Sequence, residues 1–505
     1  MAANSAFNTR KSPLNELPAT HRKRTQFKWA AASVMISAGL IVGACSGSSG
    51  DSQSQRPDRE RQEMRNVDQR SGDQGNQQNQ GDQGNRPAGE GVANAKSATG
   101  EPFEMVPIPC QPEGEHQWYR TDDTFVVDPS NPETMYVNVE YKGFFKSTDG
   151  GKTWARKTKG LVVDHRNATT NEPCYTEYPV AVIDPTNPKR ILLATSGGGG
   201  GTINDPNMRG GGVYESTDGG EHWKQMINGE MNGYVTHALV LDPNDPKTVY
   251  YGSAASPASY READPNEIWV TKGIIYKTVD NGKKWEELPT GFEKYMRLSF
   301  IAVDPADSKR ITASTVLMSP GNGGPNVLGD NPLGIIQSTD GGASWNRVDN
   351  LPKGYENALA TAASTTNGNN FFQIAAVNGG EKSKSFFSTD GAKTWTESSK
   401  NMDVVKYDPF DPSGNRLVGH RWQCTDGPCD MALFESNDAG ATWSTFGTLP
   451  AEITNIMDHK SRIQNIVFHP SDPNTIFMTG ANGYVWKSTD RAATWTKLLS
   501  VDMLP

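Results

Sequence analysis

The sequence predicts an all-β chain: a seven-bladed β-propeller of four-stranded antiparallel blades, preceded by a disordered tether. Three observations predict it. The 505 residues include 51 Gly and 32 Pro, with only 35% hydrophobic residues. That composition suits many short strands joined by turns and argues against a helical bundle. An eight-residue turn motif recurs along the chain, and a second turn motif precedes it in most copies.

The N-terminus comes first. Residues 1–44 carry six basic side chains and one acidic one, and residues 29–44 (WAAASVMISAGLIVGA) are apolar and uncharged. Sixteen residues is short for a membrane span of about 20 and suits a signal-peptide core. The stretch closes on Val42-Gly43-Ala44-Cys45, which resembles a bacterial lipobox. That resemblance implies a signal peptide over 1–44, lipid attached to Cys45, and export to the cell envelope (outer membrane or cell surface). Residues 45–100 hold this Cys and a polar linker such as GDQGNQQNQGDQGN. Almost nothing there is apolar enough to offset chain entropy, so a disordered spacer is expected. The membrane is reached through the lipid only.

The formal charge of the whole chain is −9. Removing the +5 of residues 1–44 leaves −14. An acidic body excludes nucleic acid as a partner, because phosphate recognition needs a basic surface. Four cysteines remain after Cys45: Cys110, Cys174, Cys424 and Cys429. An even number in an exported chain suggests disulfides, and three pairings are possible. The segment CTDGPC closes a short Gly-Pro turn, which favours Cys424 with Cys429 and leaves Cys110 with Cys174. No His lies at ligand spacing from either group, so no metal site is expected. No cofactor is expected either. The Gly runs 197–201 and 210–212 lack the helix start or Lys-Ser/Thr of a phosphate cradle, and no HExxH or GxSxG occurs.

Residues 101–505 form the propeller. The turn motif occupies 147–154 (STDGGKTW), 216–223 (STDGGEHW), 278–285 (TVDNGKKW), 338–345 (STDGGASW), 388–395 (STDGAKTW), 436–443 (SNDAGATW) and 488–495 (STDRAATW). Its Asp can accept backbone N–H bonds from the residues that follow, and Gly supplies positive φ. The Trp opens the next strand and buries a large ring. Upstream, a strand–Asp-Pro–strand pattern recurs, as in FVVDPSNPETMYVNV from Phe125 and LVLDPNDPKTVYYGS from Leu239. The sixth repeat keeps it in degenerate form, and the fifth has no Asp-Pro. Each repeat therefore reads as strands A to D: A before Asp-Pro, B after it, C before the Asp motif and D from its Trp. Four-stranded units around a common axis leave only short, protected edges.

These repeats resemble bacterial neuraminidase repeats, or Asp-boxes, over about residues 120–500. Similar repeats occur in sialidases, in xyloglucan-active glycoside hydrolases built from two seven-bladed propellers, in sortilin-type receptors, and in propeller lipoproteins that assist photosystem II assembly. The resemblance implies that Asp149, Asp218, Asp280, Asp340, Asp390, Asp438 and Asp490 are structural turn residues, away from the active face.

Strand order then separates two faces. The A–B and C–D turns share one face and are short. The B–C and D–A connections share the other, where length varies: 196–211, 253–272, 318–333 and 157–178 are long. Function concentrates in such loops on a rigid scaffold. The candidate ligand-binding residues are Tyr175, Glu177, Tyr178, Arg209, His237, Trp269, Arg297 and Arg462. Glu177, His237, Arg297 and Arg462 form the narrower set, because strand-A starts converge at the axis. Aromatic rings with Arg and carboxylates suit sugar or peptide recognition. If the chain is an enzyme, a glycoside hydrolase is expected. Hydrolysis would need a carboxylate pair, with Glu177, Asp205, Glu262 and Asp264 as candidates.

The expected function is recognition of a glycan or glycoconjugate, or of a surface protein, by the upper face of a lipoprotein. Glycoside hydrolysis is the alternative, and membrane-protein assembly the second alternative. The resemblance to each family is partial. The xyloglucan-active cleft lies between two propellers and this sequence holds one. Sialidases use six blades and an Arg-Ile-Pro type motif that is missing.

Overall fold

The computed structural model describes residues 124–504 except 141, 162, 167–172, 176–179, 196–211, 228–232, 235–237, 256–271, 292–295, 318–333, 349, 353–354, 356, 377–382, 424–429, 451–452, 454–462 and 481–482. Seven antiparallel sheets follow one another, each built from consecutive strands in the order A-B-C-D. Blade one runs Val126–Val127, Met135–Val139, Gly143–Ser147 and Ala155–Arg156. Blade two runs Val180–Ile183, Ile191–Thr195, Gly212–Ser216 and Lys224–Gln225. In blade three strand A is split into Gly233–Tyr234 and Leu239–Leu241, both paired to Val249–Ala255, with Lys272–Thr278 and Glu286–Glu287 outside. Blade four runs Met296–Asp304, Asp307–Leu317, Gly334–Ser338 and Asn346–Arg347.

The fifth repeat, which lacks Asp-Pro, is a complete blade: Asn357–Ala363, Phe371–Ala376, Ser383–Ser388 and Thr396–Glu397. Blade six runs Val404–Tyr407, Leu417–Gln423, Asp430–Ser436 and Ser444–Thr445. Blade seven runs Ile463–Phe468, Ile476–Gly480, Tyr484–Ser488 and Thr496–Leu499.

Strand D begins directly after the Trp in every blade but is two residues long in six of them. Short outer strands blunt the exposed edge that would otherwise template pairing with another chain. Strand B is buried on both faces, because alternate side chains enter different blade interfaces. In blade one, Met135, Val137 and Val139 pack toward blade seven, while Tyr136 packs toward blade two. Among the described residues each pair of neighbouring blades shares one hydrophobic cluster, including the first with the last. No described strand is exchanged between blades one and seven. Packing closes the ring there, with Phe125 and Phe477 rings 5.1 Å apart.

Motif Trp residues of blades two, six and seven tie their blade to the preceding one. Trp223 Nε1 donates to the Lys157 carbonyl at 2.9 Å, Trp443 Nε1 to Ser398 Oγ at 2.9 Å, and Trp495 Nε1 to the Thr448 carbonyl at 2.8 Å. Two kinds of polar contact recur in the ring. In blades one and three, Lys146 and Lys277 donate to the carbonyls of Gly219 and Gly341 in the next blade, each at 2.8 Å. Their ammonium groups lie 5.6 Å from the Tyr136 and Tyr250 ring centroids. Blade seven repeats the cation over a ring with Lys487 and Phe477 at 5.7 Å. In blades two, four and six an Arg holds the A–B turn Asp instead: Arg190 with Asp184, Arg310 with Asp304, Arg416 with Asp408.

Candidate functional site

The lower face carries the carboxylates that look most like a catalytic row, and the geometry commits each to its own turn. In blade one, Ser147 Oγ donates to Asp149 Oδ1 at 2.8 Å and accepts from Gly151 N at 2.9 Å. Thr153 donates its backbone N–H to Oδ1 at 2.9 Å and its hydroxyl to Oδ2 at 2.6 Å. The Ser/Thr–Asp pair and the Asp–backbone bond recur at Asp218, Asp280, Asp340, Asp390, Asp438 and Asp490. The Thr153 hydroxyl and backbone, then Ser147, hold the Asp149 carboxyl down to about 2. Thr494 and Ser488 do the same for Asp490, also at about 2. Such acids are too weakly basic to accept a proton near neutrality.

The turn places two consecutive residues at positive φ, such as Gly150 and Gly151, a conformation glycine adopts without steric cost. Blade seven does it with Arg491 (φ 57) and Ala492 (φ 67). The C–D turn also bonds the A–B turn of its own blade in all seven repeats, as Gly150 N to Glu133 O at 2.9 Å and Arg491 N to Asn474 O at 2.9 Å. Both turn types therefore share one face, as the strand order predicts.

At the A–B turn a single acceptor is needed, and it is Asp only in part of the ring. Asp128 Oδ1 accepts from Ser130 N at 2.8 Å. In blade five Ser364 Oγ takes the place, accepting from Asn367 N at 3.1 Å. In blade seven His469 Nδ1 accepts from Ser471 N at 3.2 Å and Asp472 N at 3.0 Å.

The sequence assigns its candidates to the upper-face connections, and most of those connections are not described. Glu177, Tyr178, Asp205, Arg209, His237, Glu262, Asp264, Trp269 and Arg462 lie outside the described residues, as do Cys45, Cys110, Cys424 and Cys429. Cys174 belongs to a two-stranded ribbon, Val163–Arg166 with Pro173–Tyr175, where the sequence pattern predicts a loop. Tyr175 closes that ribbon. Its ring is only 7% exposed and its hydroxyl meets Thr158 Oγ1 at 2.8 Å. The ring also fills the space beside Gly143, where a Cβ would lie 2.9 Å from Tyr175 Cδ2. Tyr175 is thus a packing residue of the interface between blades one and two. Arg297 is the second residue of strand A in blade four, opposite Val316.

Strand A carries an irregularity that the sequence pattern does not announce. In blade four the register slips between Leu298 and Phe300, in blade five between Ala358 and Ala360, and in blade seven between Ile463 and Asn465. The extra residues are Ser299, Leu359 and Gln464. Each stands five places before its A–B turn acceptor, Asp304, Ser364 or His469. In blade six Asp403 N donates to the His420 carbonyl at 2.9 Å, just before Val404, which lies opposite His420. A bulge bends its strand and re-aims the side chains beyond it. Counting back from the turn acceptor is the sequence signal that would have found this level.

Among the described residues no three His, Cys, Asp or Glu side chains are grouped to hold a metal ion. No helix of the described residues is long and apolar enough to cross a membrane.

No family model matches the chain. It is 23% identical over 399 residues to a xyloglucanase from Acetivibrio thermocellus, which is 75% of this chain and 38% of that protein. It is 24% identical over 237 residues to a xyloglucanase from a Paenibacillus species, covering 46% of this chain and 21% of the relative. Well under half the length of these relatives is therefore spanned. Among solved structures, the GH74 xyloglucanase of Xanthomonas campestris aligns with a TM-score of 0.51 at 15% identity, over 76% of this chain and 56% of that one. A GH74 enzyme from Niastella koreensis aligns with a TM-score of 0.52 at 15% identity, over 74% and 53%. Those structures share the propeller fold.

Proposed function

We propose that the upper face of this propeller recognises a polysaccharide or glycoconjugate, and that the chain is held at a bacterial cell envelope by lipid on Cys45. The observation that carries the reading is the similarity over 399 residues to a xyloglucanase, on a fold whose lower face is committed to turn architecture. Loops at the other end of a rigid ring are the place for recognition, and fold by itself does not decide chemistry. The same similarity favours a second reading, hydrolysis of a β-glucan-type polymer, with a carboxylate pair drawn from Glu177, Asp205, Glu262 and Asp264. Such a pair must flank the scissile bond at about 5–10 Å.

One experiment separates the readings. The full chain is incubated with xyloglucan, polygalacturonate and a neutral β-glucan, and retention and reducing-end release are read from the same tubes. Retention without release supports recognition. Release that disappears in Glu177→Gln makes the chain a hydrolase. Neither signal on any polymer overturns the glycan reading and turns attention to a surface protein.

A further inference from the structure

Six of the seven seams between blades are crossed by the chain itself, since strand D of one blade leads on into strand A of the next. The seam between blades seven and one has no such link. Among the described residues no strand is shared across it, and packing holds it closed. Phe477 of blade seven is central to that packing. It is fully buried, and its ring meets that of Phe125 in blade one at 5.1 Å. The tryptophan bond across this seam is long. Trp154 Nε1 is 3.4 Å from the Leu498 carbonyl, against 2.8–2.9 Å for the bonds that Trp223, Trp443 and Trp495 make at their seams.

His469 belongs to the same seam. Its ring lies nearly parallel to Phe477, with 16° between the planes and 6.2 Å between centroids. Lys487 Nζ stands 5.7 Å from the same Phe477 ring. Phe477 therefore has His469 and Lys487 beside it in its own blade and Phe125 across the seam. His469 is also the acceptor of its A–B turn, where five other blades use Asp and one uses Ser. Of these acceptors only the imidazole changes protonation close to neutral pH. Its Nδ1 accepts from Ser471 N and Asp472 N, so a proton taken there removes both bonds and leaves two N–H groups facing a cation. The charges that face the ring are Lys487 and Asp472 of its own blade and Glu133 of blade one. Burial and Lys487 disfavour the imidazolium more than the two carboxylates favour it.

We infer that His469 is an acid-sensitive latch on the ring, whose protonation opens the seam between blades seven and one and leaves the other six closed. Two effects of the proton act together. The A–B turn of blade seven loses the acceptor that shapes it, and a second cation joins Lys487 beside Phe477. The Asp and Ser acceptors of the other turns keep their charge over the range in which His titrates. Each blade keeps its four strands in its own sheet, so opening the seam breaks no strand-to-strand ladder. The opening requires only that the apolar contacts of Phe125, Val139, Phe477 and Val485 part. Nothing in this device depends on what the upper face binds.

The test reads seam opening through a buried thiol in the full chain. Val485→Cys places it in the seven–one seam, and Val213→Cys places it in the two–three seam as the reference. Both are labelled with a pyridyl disulfide, which reacts in acid as well, and the rates are read by peptide mass spectrometry. The ratio of the two rates cancels the pH dependence of the thiol chemistry. It should rise about five- to tenfold between about pH 7.5 and about pH 5, the equivalent of one lost hydrogen bond. His469→Asp supplies the acceptor of the other repeats without the titration, and should hold the ratio constant. His469→Ser, the solution of blade five, replaces it if the Asp variant does not fold, and Val139→Cys replaces Val485→Cys on the same ground. A ratio that stays flat with His469 present overturns the latch, whatever the variants do. A rise that persists in His469→Asp or His469→Ser overturns it as well.

Discussion

Gly160 lies against Trp223 so closely that a Cβ on it would sit 2.1 Å from the Trp223 carbonyl oxygen. The two residues belong to successive blades, and Trp223 N bonds the Lys159 carbonyl at 2.8 Å beside them. Gly160 also has φ +96, in the left-handed region. Backbone meets backbone here, with no flexible side chain to yield.

Gly160→Ala should therefore cost about 2–3 kcal/mol, combining overpacking with positive-φ strain. Gly291→Ala provides the comparison, since φ there is +75 but no atom lies within 4 Å of a Cβ. It should cost only about 1 kcal/mol. Urea unfolding of the two variants measures the difference, and equal losses would refute the steric reading.

Arg190 and Asp184 are 6% and 7% exposed and 3.2 Å apart, and Arg190 also reaches Glu215 at 2.8 Å and the Pro246 carbonyl at 2.7 Å. Burial raises the Asp184 carboxyl, but Thr186 and Arg190 outweigh it and hold the group below its usual range. Arg190→Ala leaves that charge buried without its partner and should cost about 3–5 kcal/mol. Disrupting the exposed Lys384–Glu397 pair (37% and 52%) should cost at most about 1 kcal/mol. Matching losses in chemical denaturation would contradict the burial argument.

Acid should loosen the ring from its lower face. Asp149 and Asp490 sit at about 2 when folded, against an ordinary value of 3.8. Between those values the unfolded chain binds more protons, so stability rises with pH. The contribution is whole above 3.8 and is lost as pH falls toward 2. The urea midpoint should drop between about pH 5 and about pH 2.5, and a flat profile would exclude this role.

His469 gives a second, milder pH response. Its Nδ1 accepts two backbone N–H bonds and so must be unprotonated. Burial, then the Lys487 charge, pushes its pKa below 6.5. The folded base is the weaker one, so its contribution is complete above 6.5 and declines as pH falls through that value toward the lowered one. His469→Asp restores the acceptor used in other repeats. It should flatten the stability step between about pH 7 and about pH 5, read by thermal midpoints. NMR titration of the His469 ring in the parent should show the lowered value directly.

The fold was legible because its signals are local. Ser147, Asp149, Gly151 and Thr153 satisfy one another within a single turn, so the spacing of residue types carries the geometry. Repetition then supplied the architecture. Other features leave no such mark. Ser364 and His469 replace Asp by function as acceptors, and a pattern read by residue identity passes over Ser364. Bulges at Ser299, Leu359 and Gln464 shift register by one residue without changing composition. Tyr175 reads as an exposed recognition ring from its loop context, yet the ribbon buries it against Gly143. The remaining upper-face candidates depend on long connections whose course no local pattern encodes.

Lys146 and Lys157 of blade one converge on Glu221 of blade two, at 3.5 and 2.6 Å. The corresponding place holds Lys283 in blade three, Lys393 in blade five and Ala in blades four, six and seven. A chain of seven look-alike units risks docking a blade beside the wrong neighbour while it assembles, a known hazard of repeat proteins. Blade one placed against blade three or five would set cation against cation, and against blade four, six or seven it would meet a methyl group. Glu221 thus gives blade two a charge match to blade one that no other copy of the motif offers.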